Sequence, residues 1–267
     1  MTSLDYAIID RYWSRAGPSI LGPYMMEGFG FPASAGRYRF GAEATIVDRL
    51  IGGADRDGTV LDLGSGNGCW TEYFASRFLR VVAVEASRPL YEAQQERCAT
   101  FLNVKSILGN VMLFKPKDRY EVIFLGGILM YLNENDVVSL LSKLKSSLVP
   151  GGVILCREST VRSATITRSG EYQAAYRSVE GYTRLFKQCG LSVTETELNV
   201  PYVLLQMGCE FVEKWKSLVP LRSLLLPVFG RLVYWGLRLG NPWITHIPQA
   251  MGVAYPKLTN HYFTLRA

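Results

Sequence analysis

Short apolar runs alternate with helix-length stretches between about residues 41 and 200. The runs are almost continuously apolar, which is typical of parallel strands buried on both faces. They predict strands at residues 59–63, 80–84, 104–108, 121–125 and 153–156. The stretches between them predict helices at 43–51, 71–78, 89–97 and 134–148. This alternation predicts an α/β fold, in which a doubly wound, mostly parallel sheet carries helices on both faces.

The C-terminal third has a different pattern. We predict a helix at 173–188, a strand at 191–198 and a last strand at 258–265, which brings the sheet to seven strands. Residues 200–257 are rich in apolar side chains and contain Pro220 and Pro227. We interpret them as an apolar helical insertion between the last two strands. The predicted domain then spans residues 41–267, and residues 1–40 form an N-terminal extension.

Composition narrows the class of protein. The chain has 267 residues, 48% of them hydrophobic and 19% charged, and a formal net charge of +6 without runs of basic residues. No nucleic-acid partner is therefore expected. Five scattered cysteines and two histidines predict no metal site and suit a reducing compartment. The first residues lack a basic region followed by an apolar run, so the cytoplasm is the expected location.

The strongest chemical signal is the glycine-rich segment VLDLGSGNG at residues 60–68. A buried strand runs into a turn with Gly64, Gly66 and Gly68, and glycine is favoured where φ is positive or where backbone must approach a ligand closely. Glu85 ends the next strand, 21 positions after Gly64. An acid at that place can accept hydrogen bonds from both hydroxyls of a ribose. The two segments together predict a nucleoside-binding crevice at the carboxyl ends of parallel strands.

These segments resemble the class I S-adenosylmethionine-dependent methyltransferases. VLDLGSGNG and VVAVEAS (81–87) are similar to the first two motifs of that family, and 120–132 with 144–155 are similar to its fourth strand and the Pro-Gly-Gly turn before the fifth. Gly109-Asn110 stands where the family usually has Gly-Asp. The position of Cys69 departs from the third glycine of a dinucleotide fingerprint. The resemblance covers about residues 40–198.

The resemblance implies S-adenosyl-L-methionine as cofactor. Asp62, Gly64, Ser65 and Gly66 would then lie at the methionine end of the cofactor and Glu85 at its ribose. Asn110 with Val111 would meet the adenine, and the backbone at Leu125 and Gly126 would border the sulfonium. In many members of the family an N-terminal extension folds over the cofactor as a lid. Tyr12 and Trp13 of residues 1–40 suit such a role.

The acceptor side gives three candidate catalytic residues, each with a structural alternative. Glu158 could act as a base or could pair with a neighbouring arginine. Tyr131 could line the pocket or belong to the core. The predicted helix at 173–188 places Tyr172 and Tyr176 on one face, and Arg177 beside them could bind an anion or simply pack on the sheet.

The segment 216–239 is the second informative region. Arg222, Arg231 and Arg238 interrupt it and two prolines break it, so we predict no transmembrane helix. Residues 228–239 fit an amphipathic helix. Three interpretations stay open: helices that pack on the domain and wall the acceptor pocket, a surface that makes peripheral contact with the inner face of a membrane or covers a lipid-linked acceptor, and a dimer interface.

The sequence thus predicts an enzyme that transfers a methyl group to a small-molecule or lipid-linked acceptor, with oxygen as the expected acceptor atom. A first alternative is a methyltransferase of protein N-terminal amines, which Tyr12-Trp13 and Tyr176-Arg177 faintly resemble. A second is a methyltransferase-like subunit without turnover. A nicotinamide-dependent oxidoreductase is disfavoured by Cys69.

Overall fold

The computed structural model describes residues 3–15, 28–219, 222–252 and 255–267. Nine strands of this described part form one mixed sheet. They are β1 (Thr59–Leu63), β2 (Arg80–Glu85), β3 (Val104–Leu108), β4 (Tyr120–Gly126), β5 (Leu148–Val161), β6 (Ile166–Arg168), β7 (Ala174–Ser178), β8 (Ser192–Leu198) and β9 (Thr259–Arg266).

The seven predicted strands follow the order β3-β2-β1-β4-β5-β9-β8. β1 lies between β2 and β4 and is parallel to both, with Leu61 opposite Val82 on one side and Ile123 on the other. β9 is antiparallel to β5 and to β8. The predicted doubly wound α/β architecture with its helical insertion is confirmed, and the carboxyl ends of β1, β2 and β4 meet at one edge.

Helices flank this sheet. They are α1 (Tyr6–Arg15), α2 (Ala33–Leu50), α3 (Cys69–Ala75), α4 (Arg88–Arg97), α5 (Glu134–Lys145), α6 (Val179–Gln188), α7 (Val200–Leu218), α8 (Arg222–Gly240) and α9 (Trp243–Ala250). The four predicted between 43 and 148 are present, but α2 begins at Ala33, well before the expected residue 43. This early start places Arg39 inside a helix.

The prediction of one helix over 173–188 is wrong in its first part. Residues Ala174–Ser178 form β7, which pairs with β6 and with the far end of β5. β5 is long enough to offer a free edge there, and this tertiary pairing overrides the local helical pattern. The helix begins only at Val179, where the Ser178 hydroxyl accepts a hydrogen bond from Gly181 N at 3.1 Å. Tyr172 and Tyr176 therefore do not share a helix face.

Alternate side chains of the central strands enter two separate cores. Leu61, Val82 and Ile123 lie in the cluster that packs on α5 and α6. Val60, Val81 and Val122 lie in the cluster on the opposite face, with aromatic residues of α3. This division follows from the twofold alternation of side chains along a strand, and it leaves the strand ends free to carry a site.

Residues 200–250 supply α7, α8 and α9 between β8 and β9. Along α7, Val203, Leu204 and Leu205 are buried. Within the described residues, none of the helices is long and apolar enough to cross a membrane.

Candidate functional site

The loop after β1 has a backbone that favours glycine at three positions. Gly64, Gly66 and Gly68 have φ values of 76°, 57° and 83°. The backbone N–H groups of Gly64 and Ser65 both donate to the carbonyl of Val84, at 2.8 and 3.1 Å. A Cβ at Gly64 would collide with the side chain of Ile128. The loop therefore folds tightly against the end of β2, as the glycine spacing predicts.

Glu85 joins the two predicted halves of the crevice. It ends β2 and is almost entirely buried. Its Oε2 accepts from Gly66 N at 2.7 Å, and its Oε1 accepts from Ser87 N at 2.8 Å. Burial raises the pKa of this carboxyl, and the backbone donors oppose that rise. The acid and the glycine turn are thus in direct contact.

Asp62 provides a second buried carboxyl close by. Its Oδ2 accepts from the Thr71 hydroxyl at 2.6 Å. Its pKa is raised to about 7: burial and the charge of Glu85 raise it, whereas the Thr71 hydrogen bond and the charge of Arg157 lower it. Two neighbouring carboxyls with raised pKa values favour a ligand that brings positive charge and hydroxyl donors.

A cavity of about 1240 Å³ opens beside these groups. Eight of the nine predicted cofactor residues line it: Asp62, Gly64, Ser65, Gly66, Glu85, Asn110, Val111 and Gly126. The side chain of the ninth, Leu125, is buried in the core instead. The volume exceeds the roughly 300–1,000 Å³ of common small-molecule sites, so one ligand would leave room for another.

Asn110 stands at the turn after β3. Its side-chain oxygen accepts from Met112 N at 2.8 Å, which closes a local turn. An aspartate could make the same contact, since both residues present an oxygen at this position. The exposed amide lies at the cavity edge.

Aromatic side chains line the other part of the cavity. Tyr131, Tyr172 and Tyr176 form a chain of phenols, with hydroxyl separations of 2.9 and 3.4 Å. Tyr12 and Trp13 of α1 pack edge-on against Tyr172 and Tyr131 respectively. The N-terminal extension therefore forms part of the cavity wall. Tyr131 lines the cavity, one of the two roles that the sequence left open for it.

The other two candidate catalytic residues lie outside the cavity lining. Glu158 is fully buried, and its Oε1 accepts from the backbone N–H groups of Ile128 and Leu129, each at 3.0 Å. Arg177 is also buried, and it donates to the carbonyls of Leu129 at 2.9 Å and Leu132 at 2.6 Å. Of the two roles that the sequence left open for each residue, this placement favours the structural one over a base and an anion clamp: both side chains hold the turn that carries Tyr131.

Sequence reasoning missed a buried ionic cluster at the cavity wall. Glu43 accepts from Arg39 Nε, Arg157 Nη1 and Asn199 Nδ2, at 2.8, 2.8 and 2.7 Å. Both arginines line the cavity. The spacing of Arg39 and Glu43, four residues apart on α2, is a signal that the sequence does contain.

Comparison with known proteins agrees with this geometry. Residues 60–152 match the family described as "Methyltransferase domain". Phosphoethanolamine N-methyltransferase 3 of Arabidopsis thaliana is 30% identical over 138 residues, which cover 50% of this chain and 28% of that protein. The matched segment thus spans less than a third of that relative.

Two further proteins are similar over more of the chain. Alpha N-terminal protein methyltransferase 1 of Drosophila melanogaster is 22% identical, covering 78% of this chain and 77% of that protein. The solved structure of a SAM-dependent methyltransferase from Leishmania major shares the fold with a TM-score of 0.61 at 20% identity, covering 73% of this chain and 76% of that one. Residues 60–152 therefore match a methyltransferase domain, and the chain has the Rossmann-like fold of S-adenosylmethionine-dependent methyltransferases.

Proposed function

We propose that this protein transfers a methyl group from S-adenosylmethionine to a small-molecule or lipid-linked acceptor, with oxygen as the acceptor atom. The observation that carries the proposal is the contact between Glu85 and the glycine turn at the mouth of a cavity large enough for two ligands. It unites the two segments that hold a nucleoside in this fold.

The residues present fit the cofactor. Glu85 offers carboxylate oxygens to ribose hydroxyls, and the left-handed glycines let backbone approach the methionine end. The buried carboxyl of Asp62 suits the ammonium group of the cofactor's methionine end. When bound, S-adenosylmethionine supplies a methyl group on a cationic sulfur that leaves as a neutral thioether. The remaining task of the chain is to bind and align an acceptor.

The second part of the cavity has the properties of an acceptor chamber. The phenols of Tyr131, Tyr172 and Tyr176 can orient a polar group by hydrogen bonds, while their rings exclude water. Arg39 and Arg157 lie in the same cavity lining and share one carboxylate, that of Glu43, so the cluster keeps a net positive charge. Nearby positive charge lowers the pKa of a hydroxyl and so favours its nucleophilic oxyanion, which supports an oxygen acceptor. No histidine or lysine lines the cavity in the described part of the chain.

The cofactor site can be tested with Glu85→Gln, which keeps the shape of the side chain but removes its charge. Calorimetric titration with S-adenosylmethionine should show affinity reduced about 10- to 150-fold, corresponding to about 1.5–3 kcal/mol for hydrogen bonds to a charged group. Glu92→Gln on the exposed side of α4 is the matched control and should bind normally. Unchanged affinity in Glu85→Gln, or tighter binding of NAD than of S-adenosylmethionine, would overturn the proposal.

The acceptor class needs a separate assay. Methyl transfer from labelled S-adenosylmethionine to cell extract, split into lipid, protein and polar fractions, should label the lipid or polar fraction. A second candidate is an N-terminal protein amine, because the Drosophila protein of that activity is similar over most of the chain. Label that appears in the protein fraction and is lost when N-terminal amines are blocked would favour this candidate.

A further inference from the structure

Helix α8 exposes an apolar stripe. Leu225, Val228, Leu232, Trp235 and Leu239 follow one another at spacings of three and four residues, and 50–86% of each is accessible to solvent. In a helix of 3.6 residues per turn, such positions share one face. A face of this kind is normally buried in a soluble domain, so the stripe requires an explanation.

Further exposed apolar residues lie on or beside the neighbouring helices α7 and α9. Ten of the sixteen large hydrophobic residues that are exposed in the described part of the chain lie between Phe211 and Met251. Beyond the α8 stripe they are Phe211, Leu218, Trp243, Ile247 and Met251. We call the five residues of the α8 stripe the apolar face.

The opposite side of α8 is anchored in the protein. Tyr234 is buried with Ala35 of α2 and Leu204 and Leu205 of α7. Phe229 stacks on Trp215 of α7, with ring centroids 4.2 Å apart. The internal contacts of α8 are therefore made by other side chains, and the helix presents the stripe outward.

Charge selects the partner of this face. Helix α8, which carries this face, contains Arg222, Arg231 and Arg238 and no acidic residue. The exposed Arg231 lies next to Leu232 at the border of the stripe. Two copies of such a surface would repel each other, while anionic lipid headgroups would attract it. Tryptophans such as Trp235 and Trp243 suit the boundary between headgroups and acyl chains.

We propose that the apolar face docks the protein peripherally on a bilayer that contains anionic lipids. The helices would lie in the plane of the interface with their apolar side chains among the upper acyl chains. The other side of α7 lines the cavity through Tyr202 and Leu205. Docking would therefore bring the cavity wall close to the membrane, although this inference does not depend on the identity of the acceptor.

Vesicle flotation tests the proposal with the whole chain. The protein should float with vesicles of phosphatidylcholine and phosphatidylglycerol, bind phosphatidylcholine alone much more weakly, and dissociate as salt rises. The double variant Leu232→Gln/Trp235→Gln should bind the mixed vesicles at least tenfold more weakly. Leu79→Gln/Leu102→Gln removes two exposed leucines elsewhere on the surface and should bind normally.

A second variant separates docking from folding. Arg231→Glu leaves the apolar stripe intact and should reduce binding to the mixed vesicles but not to phosphatidylcholine alone. Titration of each variant with S-adenosylmethionine reports an intact fold, since none of these residues lines the cavity. Wild-type protein that fails to float, or a double variant that floats as well as the wild type, would overturn the proposal. So would a dimer in light scattering that the double variant converts to monomer, which would assign the face to a second copy.

Discussion

Glu43 connects three parts of the protein that are distant in sequence. It is fully buried on α2, and it accepts hydrogen bonds from Arg157 in β5 and from Asn199 at the start of α7. Burial raises the pKa of Glu43, but Arg39 and Arg157 lower it, and the net effect keeps the pKa below its usual value. The carboxylate is therefore charged near neutral pH and compensates two guanidinium groups.

Glu43→Gln should cost about 3–5 kcal/mol of the free energy of unfolding, the usual penalty when one partner of a buried ionic group is removed. Two effects combine. The amide leaves the guanidinium groups of Arg39 and Arg157 without the opposing charge of Glu43. In addition, an NH2 group in the place of Oε1 cannot accept the hydrogen bonds from Arg39 and Asn199. Because the free energy of unfolding of an ordinary domain is about 5–15 kcal/mol, the variant should fold but be much less stable.

Urea unfolding followed by circular dichroism measures this loss. The midpoint should fall by at least about 1 M at a slope of about 1–3 kcal/mol per molar. The matched control is Glu72→Gln, because Glu72 pairs with Arg97 at 3.1 Å on the surface, where the two side chains are 44% and 39% exposed. This control should change stability by about 1 kcal/mol or less. Equal losses in the two variants would refute the importance of the buried cluster.

Two further substitutions test the site. Gly64→Ala should destabilise the protein by at least about 1–2 kcal/mol, the cost of left-handed backbone at φ 76°, and should weaken cofactor binding. Gly41→Ala, in the interior of α2 where a Cβ meets no other atom, should instead stabilise the protein by about 0.5–1 kcal/mol. Thermal melts and cofactor titration compare the two variants, and equal effects on stability would show that Gly64 is not required by its backbone conformation. Burial raises the pKa of Glu158 from 4.5 to about 7, so between these values the folded protein holds an extra proton and stability falls as pH rises, by about 1.4 kcal/mol per unit. Glu158→Gln should remove this part of the slope in urea unfolding at about pH 5, 6 and 7, and an unaltered slope would show that the carboxyl titrates normally.

Some features of the site were accessible to sequence analysis because they depend on neighbours along the chain. The glycine turn follows β1 directly, and an acid ends β2. Parallel strands bring their carboxyl ends to one edge, so the contact between Gly66 and Glu85 follows once the strands are assigned. Tyr131 was found in the same way, since it comes soon after β4.

Two residues could not be placed from the sequence, because the environment of each depends on distant partners. Arg177 was assigned to a helix because the local pattern permits one, but the free edge of β5 turns this segment into a strand. Glu158 was expected just after a strand at the ligand-binding edge, but it lies within β5, and its side chain points to the buried turn at Ile128 and not to the cavity. Neither orientation can be obtained from spacing alone, since both depend on which element lies beside the residue.

By itself, the sequence determined the positions of the central strands along the chain, the glycine turn and the presence of an apolar insertion, because buried runs, glycines and their spacing act locally. Tertiary structure decided the rest. It joined Glu43 to Arg157 across 114 positions, gathered three tyrosines from separate elements, and turned one face of α8 outward. These arrangements depend on how whole elements pack against one another, and packing energy is a property of contacts that no short segment contains.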